Sequence, residues 1–160
     1  MTNFFIDLHG CAKNQVDAEI ISSRLQNLGL ILVKSVEDAD LIIVNSCGFI
    51  ESAKTESLQS LLNYRQDYPN KKIILAGCLA ERYADVLKDE IPEIDGIFGN
   101  GDLSKIDELV LKLKNNISNS VIVSKFPQLG VCSDQRKELF NFPSSVYIKI
   151  TEGCNNCCSF

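Results

Sequence analysis

Two unbroken apolar runs constrain this chain more than any other feature: "LIIV" at residues 41–44 and "IILA" at residues 73–76. Neither alternates with polar residues, so neither suits a strand with one face in water. Short apolar runs bounded by polar and turn residues read as strands buried on both faces. Strands of that kind belong to a parallel sheet covered by helices on each side.

The neighbouring segments complete the pattern. Further strands are expected at 3–8 ("NFFIDL"), 30–33 ("LILV") and within "DGIFGN" at 95–100, and the two apolar runs extend to 40–46 and 72–77. Helical periodicity separates them. Residues 17–29 place Ile20, Leu25 and Leu28 on one side, with Gly29 to end the helix. Residues 51–68 carry Ala53, Leu58, Leu61 and Leu62 and stop at Pro69 and Asn70. A third helix covers 81–89, and a fourth runs from a cap at Asp102 or Ser104 to about residue 114. Strand–helix alternation predicts an α/β fold: an open, doubly wound, mostly parallel sheet of about five strands with helices on both faces. This domain is expected to span 1–116. The pattern then breaks. Residues 117–144 read as a linker, with an extended stretch at 121–125. "SVYIKI" at 145–150 alternates and reads as a strand, and one strand cannot hold a domain together. Residues 145–160 are therefore expected to be the truncated start of a second domain.

Composition narrows the functional class. The chain of 160 residues is 45% hydrophobic and 23% charged, with a net charge of -5, which suits a globular protein that buries its own core. An acidic chain gives little support to direct nucleic-acid binding. No stretch approaches the roughly 20 apolar residues of a membrane span, and the N-terminus lacks a signal-peptide pattern. A cytoplasmic location is expected. Seven cysteines in a reducing compartment point to metal binding or catalysis, not disulfides.

Three of those cysteines share one context. Cys11 follows "FFIDLHG", Cys47 follows "LIIVNS" and Cys78 follows "IILAG". Each lies just past a predicted strand and ahead of a helix, so all three are expected on the sheet edge where open α/β folds bind ligands. Helix N-termini favour thiolate, and converging thiolates suit an iron–sulfur cluster. Three ligands on a four-iron cube would leave one iron open. A zinc site of three cysteines and a water is the other metal reading, although no two of these cysteines form a close-spaced pair. Small buried core residues are the plain alternative.

The last residues, "EGCNNCCSF", place Cys154 and Cys158 in a C-x-x-x-C spacing. A third cysteine of C-x-x-x-C-x-x-C would fall on the first position after Phe160. That pattern is the signature of radical S-adenosylmethionine enzymes. With "GCAKNQVDAE" (10–19), "VNSCGFIESAKTES" (44–57), "GCLAERY" (77–83), "GNGD" (99–102) and "YIKITEGCNN" (147–156) in order, the chain resembles the N-terminal part of the methylthiotransferases. The runs around Cys11 and Cys47 resemble the branch that modifies an aspartate of the twelfth small-subunit ribosomal protein. The sister branch modifies adenosine in transfer RNA. The resemblance implies a transferase with two 4Fe–4S clusters and S-adenosylmethionine. It assigns Cys11, Cys47 and Cys78 to an auxiliary cluster that carries the sulfur, and Cys154 and Cys158 to the radical cluster. It also implies an electron donor and a small-subunit ribosomal protein as partners, and inactivity of this piece alone. A stand-alone iron–sulfur module is the rival from another class.

Several residues fall outside that assignment. Cys157 stands where the family has a basic residue and is not counted as a ligand. Cys132 matches nothing in the family. Asn155 and Asn156 read as turn formers. His9, the single histidine, reads as a strand-end residue close enough to tune a cluster at Cys11. "GNGD" lacks the third glycine of a phosphate cradle and reads as a tight turn, with Asp102 as a helix cap.

Overall fold

A computed structural model describes residues 1–124, 136–140, 145–150 and 156. Its centre is a single parallel sheet. The elements run β1 (Asn3–Leu8), α1 (Ala12–Asn27), β2 (Ile31–Leu32), β3 (Leu41–Ser46), α2 (Glu51–Asp67), β4 (Lys72–Gly77), α3 (Cys78–Glu90), β5 (Gly96–Phe98), α4 (Ile106–Lys114) and β6 (Ser120–Ile122). The strand order is β2-β1-β3-β4-β5-β6, and every pairing is parallel. This is the doubly wound architecture read from the sequence, with its order reversing between β1 and β3. Ligands of such sheets bind beyond the strand C-termini at that reversal.

The two apolar runs supply the central strands, and alternate residues feed opposite layers. Leu41, Ile43 and Ile74 pack with Ile21 and Leu25 of α1 and Ile106 and Leu109 of α4. Ile42, Val44, Ile73 and Leu75 pack with Leu61 of α2 and with Leu79 and Leu87 of α3. Every residue of β3 is buried, which is why its sequence shows no period.

Four details differ from the sequence reading. First, α1 begins at Ala12, not near residue 17, because Gly10 turns the chain straight out of β1 at φ +103. Its first turn is polar, but Asn14 is buried and spends its amide on the carbonyls of His9 and Ser46. Likewise α3 starts at Cys78 and bends at Tyr83. Second, Leu28 and Leu62 are exposed and are not core positions. Third, Ser120–Ile122, placed within the expected linker, pairs in register with Gly96–Phe98 and makes a sixth strand. Fourth, residues 145–150 form no strand. They have no ladder partner among the described residues, and an alternating sequence becomes a strand only when another backbone satisfies its amides. Val146, Tyr147, Ile148 and Ile150 are exposed there.

Candidate functional site

Strand register brings the cysteine-bearing loops to one edge. Ser46 pairs with Gly77, so Cys47 and Cys78 are the residues that directly follow two neighbouring strands. Leu8 pairs with Asn45, and Cys11 follows three residues later as the N-cap of α1, with no side-chain cap bond. The loops touch through glycines. A Cβ added at Gly10 would lie 2.9 Å from Cys47 Cβ, and one at Gly48 would lie 2.7 Å from the Cys78 backbone. Only residues without side chains let these loops approach so closely.

A shell of amides surrounds Cys78. Asn100 Nδ2 donates to its Sγ at 3.1 Å, and Sγ lies 3.5 Å from Asn14 Oδ1. Asn14 itself ties the first loop to the second, and its carbonyl accepts from Asn45 Nδ2 at 2.6 Å. Helix dipoles alone would favour a Cys78 thiolate. In the structure burial pushes the Cys78 thiol up, with Asp17 and Cys47 adding to it, against Lys13 and the Asn100 hydrogen bond. Burial is the largest of these influences.

Cys47 is buried, Cys78 is half-buried, Cys11 is exposed, and all three are free. Among the described residues, no three His, Cys, Asp or Glu side chains stand close enough to hold a metal ion as they are arranged. What the fold provides is a three-sulfur donor set on three abutting loops, with the exposed member on a glycine turn. That set fits an iron–sulfur cluster or a thiolate-bound zinc by donor chemistry. Cys132, Cys154, Asn155, Cys157 and Cys158 lie outside the described residues. Asn156 is exposed.

His9 is engaged in a strand-end network. Its Nε2 is 2.9 Å from Asp7 Oδ2 and its Nδ1 is 3.6 Å from Glu56. Tyr64 donates to the same Asp7 oxygen at 3.0 Å, and burial followed by the Asp7 charge pushes the Tyr64 phenol well above its ordinary value. "GNGD" is a turn as expected, and Asp102 accepts from the Ser104 amide at 3.1 Å. The turn does more than expected. The Glu81 carboxylate occupies the space where a Gly99 side chain would sit, and it accepts from the Gly101 and Ser124 amides. This packing delivers Asn100 to Cys78. Sequence reasoning missed Asn14 and Asn100. For Asn100 a signal was present, since it follows a strand end in the same way as the three cysteines.

Comparison with known proteins bears on this edge directly. The model of Uncharacterized protein family UPF0004 matches residues 3–99, which include Cys11, Cys47 and Cys78. The chain is 53% identical over 159 residues to a protein of Treponema denticola named Ribosomal protein uS12 methylthiotransferase RimO, covering 97% of this chain and 34% of that protein. Proteins of the same name from Helicobacter pylori (44% over 154 residues, 94% and 33% covered) and Campylobacter fetus (41% over 163 residues, 100% and 35%) are also similar. The chain spans about a third of the length of these relatives.

Proposed function

This chain belongs to Uncharacterized protein family UPF0004, and on that footing we propose that it is the N-terminal part of a radical S-adenosylmethionine methylthiotransferase of ribosomal protein uS12. The modified group would be an aspartate side chain of that protein. The observation that carries this reading is the convergence of the Cys11, Cys47 and Cys78 loops on the sheet edge in a chain similar to uS12 methylthiotransferases. Cys11, Cys47 and Cys78 would hold the auxiliary cluster. Cys154 and Cys158 would be two ligands of the radical cluster, which would need S-adenosylmethionine and an electron donor. Held by Cys11, Cys47 and Cys78, a four-iron cluster would offer an iron at which sulfur could be carried.

The chain's own residues prepare that edge. Asn100 donates a hydrogen bond to the Cys78 sulfur, a contact that stabilises charge on a ligating thiolate. Asn14 fixes the first loop against the second. The exposed position of Cys11 leaves one ligand accessible to incoming iron, while Cys47 and Cys78 are held by β3 and β4. No helix among the described residues is long and apolar enough to cross a membrane, and a ribosomal-protein substrate would place the enzyme in the cytoplasm.

Anaerobic reconstitution with iron and sulfide tests the site. About four irons per chain are expected, lost on replacing Cys11, Cys47 or Cys78 by alanine and retained on replacing Cys154. Tight binding of one zinc and no iron would refute the assignment. For the substrate, a protein of the relatives' length that contains this chain is incubated with S-adenosylmethionine, sulfide, a reductant and either uS12 or transfer RNA. Methylthiolation of uS12 alone, seen by mass spectrometry, is the expected result.

A further inference from the structure

Helix α1 carries two carboxylates that its own surroundings do not explain. Asp17 and Glu19 have side-chain exposures of 2% and 1%, although both are carboxylates and they point from different faces of α1. Each is met by a distant part of the chain. Arg136 Nη1 donates to Glu19 Oε2 at 2.7 Å, and the Phe140 amide donates to Glu19 Oε1 at 2.8 Å. One turn further along, Ser23 Oγ accepts from the Lys137 amide at 2.7 Å. Lys149 Nζ reaches Asp17 Oδ1 at 2.8 Å, and Lys13 holds the other Asp17 oxygen at 3.0 Å.

These contacts have a direction. Residues 136–140 meet α1 at Glu19 and Ser23, in its middle. Residues 147–150 meet its beginning, where they line an open groove of ≈ 280 Å³ with Ala12, Lys13 and Val16. The described parts of the segment therefore lie in reverse order along α1, and Ile150 lines the same groove as Ala12, the neighbour of Cys11. Cys154 is four positions after Ile150, and a link of that length reaches at most about 14 Å. Buried carboxylates need charged partners. Here each has at least one partner from the segment it covers and one from its own helix: Lys13 for Asp17, and Gln15 for Glu19 at 3.0 Å.

We propose that Asp17 and Glu19 are positioning residues, a two-point clasp that holds residues 136–140 and 147–150 along α1 and so sets how far the second group of cysteines can stand from the first. The functional meaning of that separation rests on the two-cluster reading above; the clasp itself does not. None of the described residues of 136–150 belongs to the apolar core between α1 and the sheet, so α1 and the sheet are expected to stay folded when the clasp is opened. That separates a clasp from a core requirement.

The test uses the 160-residue chain by nuclear magnetic resonance. Hydrogen exchange at the Lys137 and Phe140 amides is expected to accelerate at least tenfold in Glu19→Ala, while Ile21 and Leu25 of α1 keep their protection. The charge-reversed pair Glu19→Arg with Arg136→Glu should restore part of the slow exchange. A nitroxide on Cys11, with the other cysteines replaced by serine, is expected to broaden the Lys149 and Ile150 amides. The double variant Asp17→Ala/Glu19→Ala should lose that broadening. Exchange within twofold of the parent, or broadening that survives the double variant, would overturn the proposal. Iron content is read separately: a chain that shows the clasp but takes up no iron keeps this inference and loses the cluster assignment.

Discussion

Asp95, at the entry to β5, offers a quantitative test of how the sheet is tied together. Its Oδ2 accepts from Arg65 Nη2 at 2.6 Å and from the Ile73 amide at 3.0 Å, and its Oδ1 accepts from Lys72 Nζ at 3.0 Å. The side chain thus takes the place of a ladder carbonyl at the start of the β4–β5 pairing. In Asp95→Ala the fully buried Ile73 leaves its amide without that acceptor, which costs about 1–3 kcal/mol. Arg65 loses a charge-assisted bond but keeps the carbonyls of Pro69, Lys71 and Glu93, so that loss is limited to about 1 kcal/mol. Lys72 is partly exposed and returns to water. The sum is about 2–4 kcal/mol. Asp95→Asn retains an acceptor for Ile73 and forfeits only the charge, so about 1 kcal/mol is expected. Burial raises the Asp95 pKa, but the Ile73 amide, Lys72 and Arg65 together outweigh it and hold the carboxyl below its usual value. A depressed carboxylate pKa contributes stability above the unfolded value of about 3.9, and that stability is lost as pH falls through the folded value. The gap between the parent and Asp95→Asn should therefore be full near neutral pH and shrink below about pH 4. Urea unfolding followed by circular dichroism at several pH values measures both. An Asn variant as costly as the Ala variant, or a gap that ignores acid, would refute this account.

Other outcomes follow from single contacts. Gly48→Ala places a methyl group against the Cys78 backbone and should abolish iron uptake on reconstitution while leaving most of the helical signal intact. Asn100→Ala removes the donor to the Cys78 sulfur and should weaken iron retention about tenfold or more in a chelator challenge. Leu61→Ala empties a fully buried site between α2 and the sheet and should cost about 2–5 kcal/mol in urea unfolding. Tyr64 should be the last of the four tyrosines to ionise in an alkaline ultraviolet titration, because burial and Asp7 both oppose its anion. Its contribution to stability is full below the ordinary tyrosine value of about 10, declines as pH rises past that value and is lost as pH rises through its own higher one.

Local signals made much of this fold readable. The runs at 41–44 and 73–76 lie on strands whose alternate residues serve two helix layers, so hydrophobicity alone marks them. Cys11, Cys47 and Cys78 could be placed on one edge because each follows such a strand. The start of α1 was hidden for the opposite reason. Its first turn, "AKNQ", looks like a loop because Asn14 is polar, and the Ser46 carbonyl that makes this tolerable is 32 positions away. The alternation at 145–150 promised a strand, but pairing requires a second backbone, and the described residues supply none.

The sequence by itself determined the layer order of this protein and the placing of three thiols at strand ends, since burial on both faces and the strand–helix period are written into contiguous residues. Only the tertiary structure decided which side chains serve those thiols and what covers α1. Asn100 meets Cys78 across 22 residues, and Lys149 meets Asp17 across 132. Such contacts depend on strand order and on a segment folding back over a helix, and no local period encodes either. A carboxylate that reads as surface charge becomes a buried anchor once a cation from the far end of the chain lies over it.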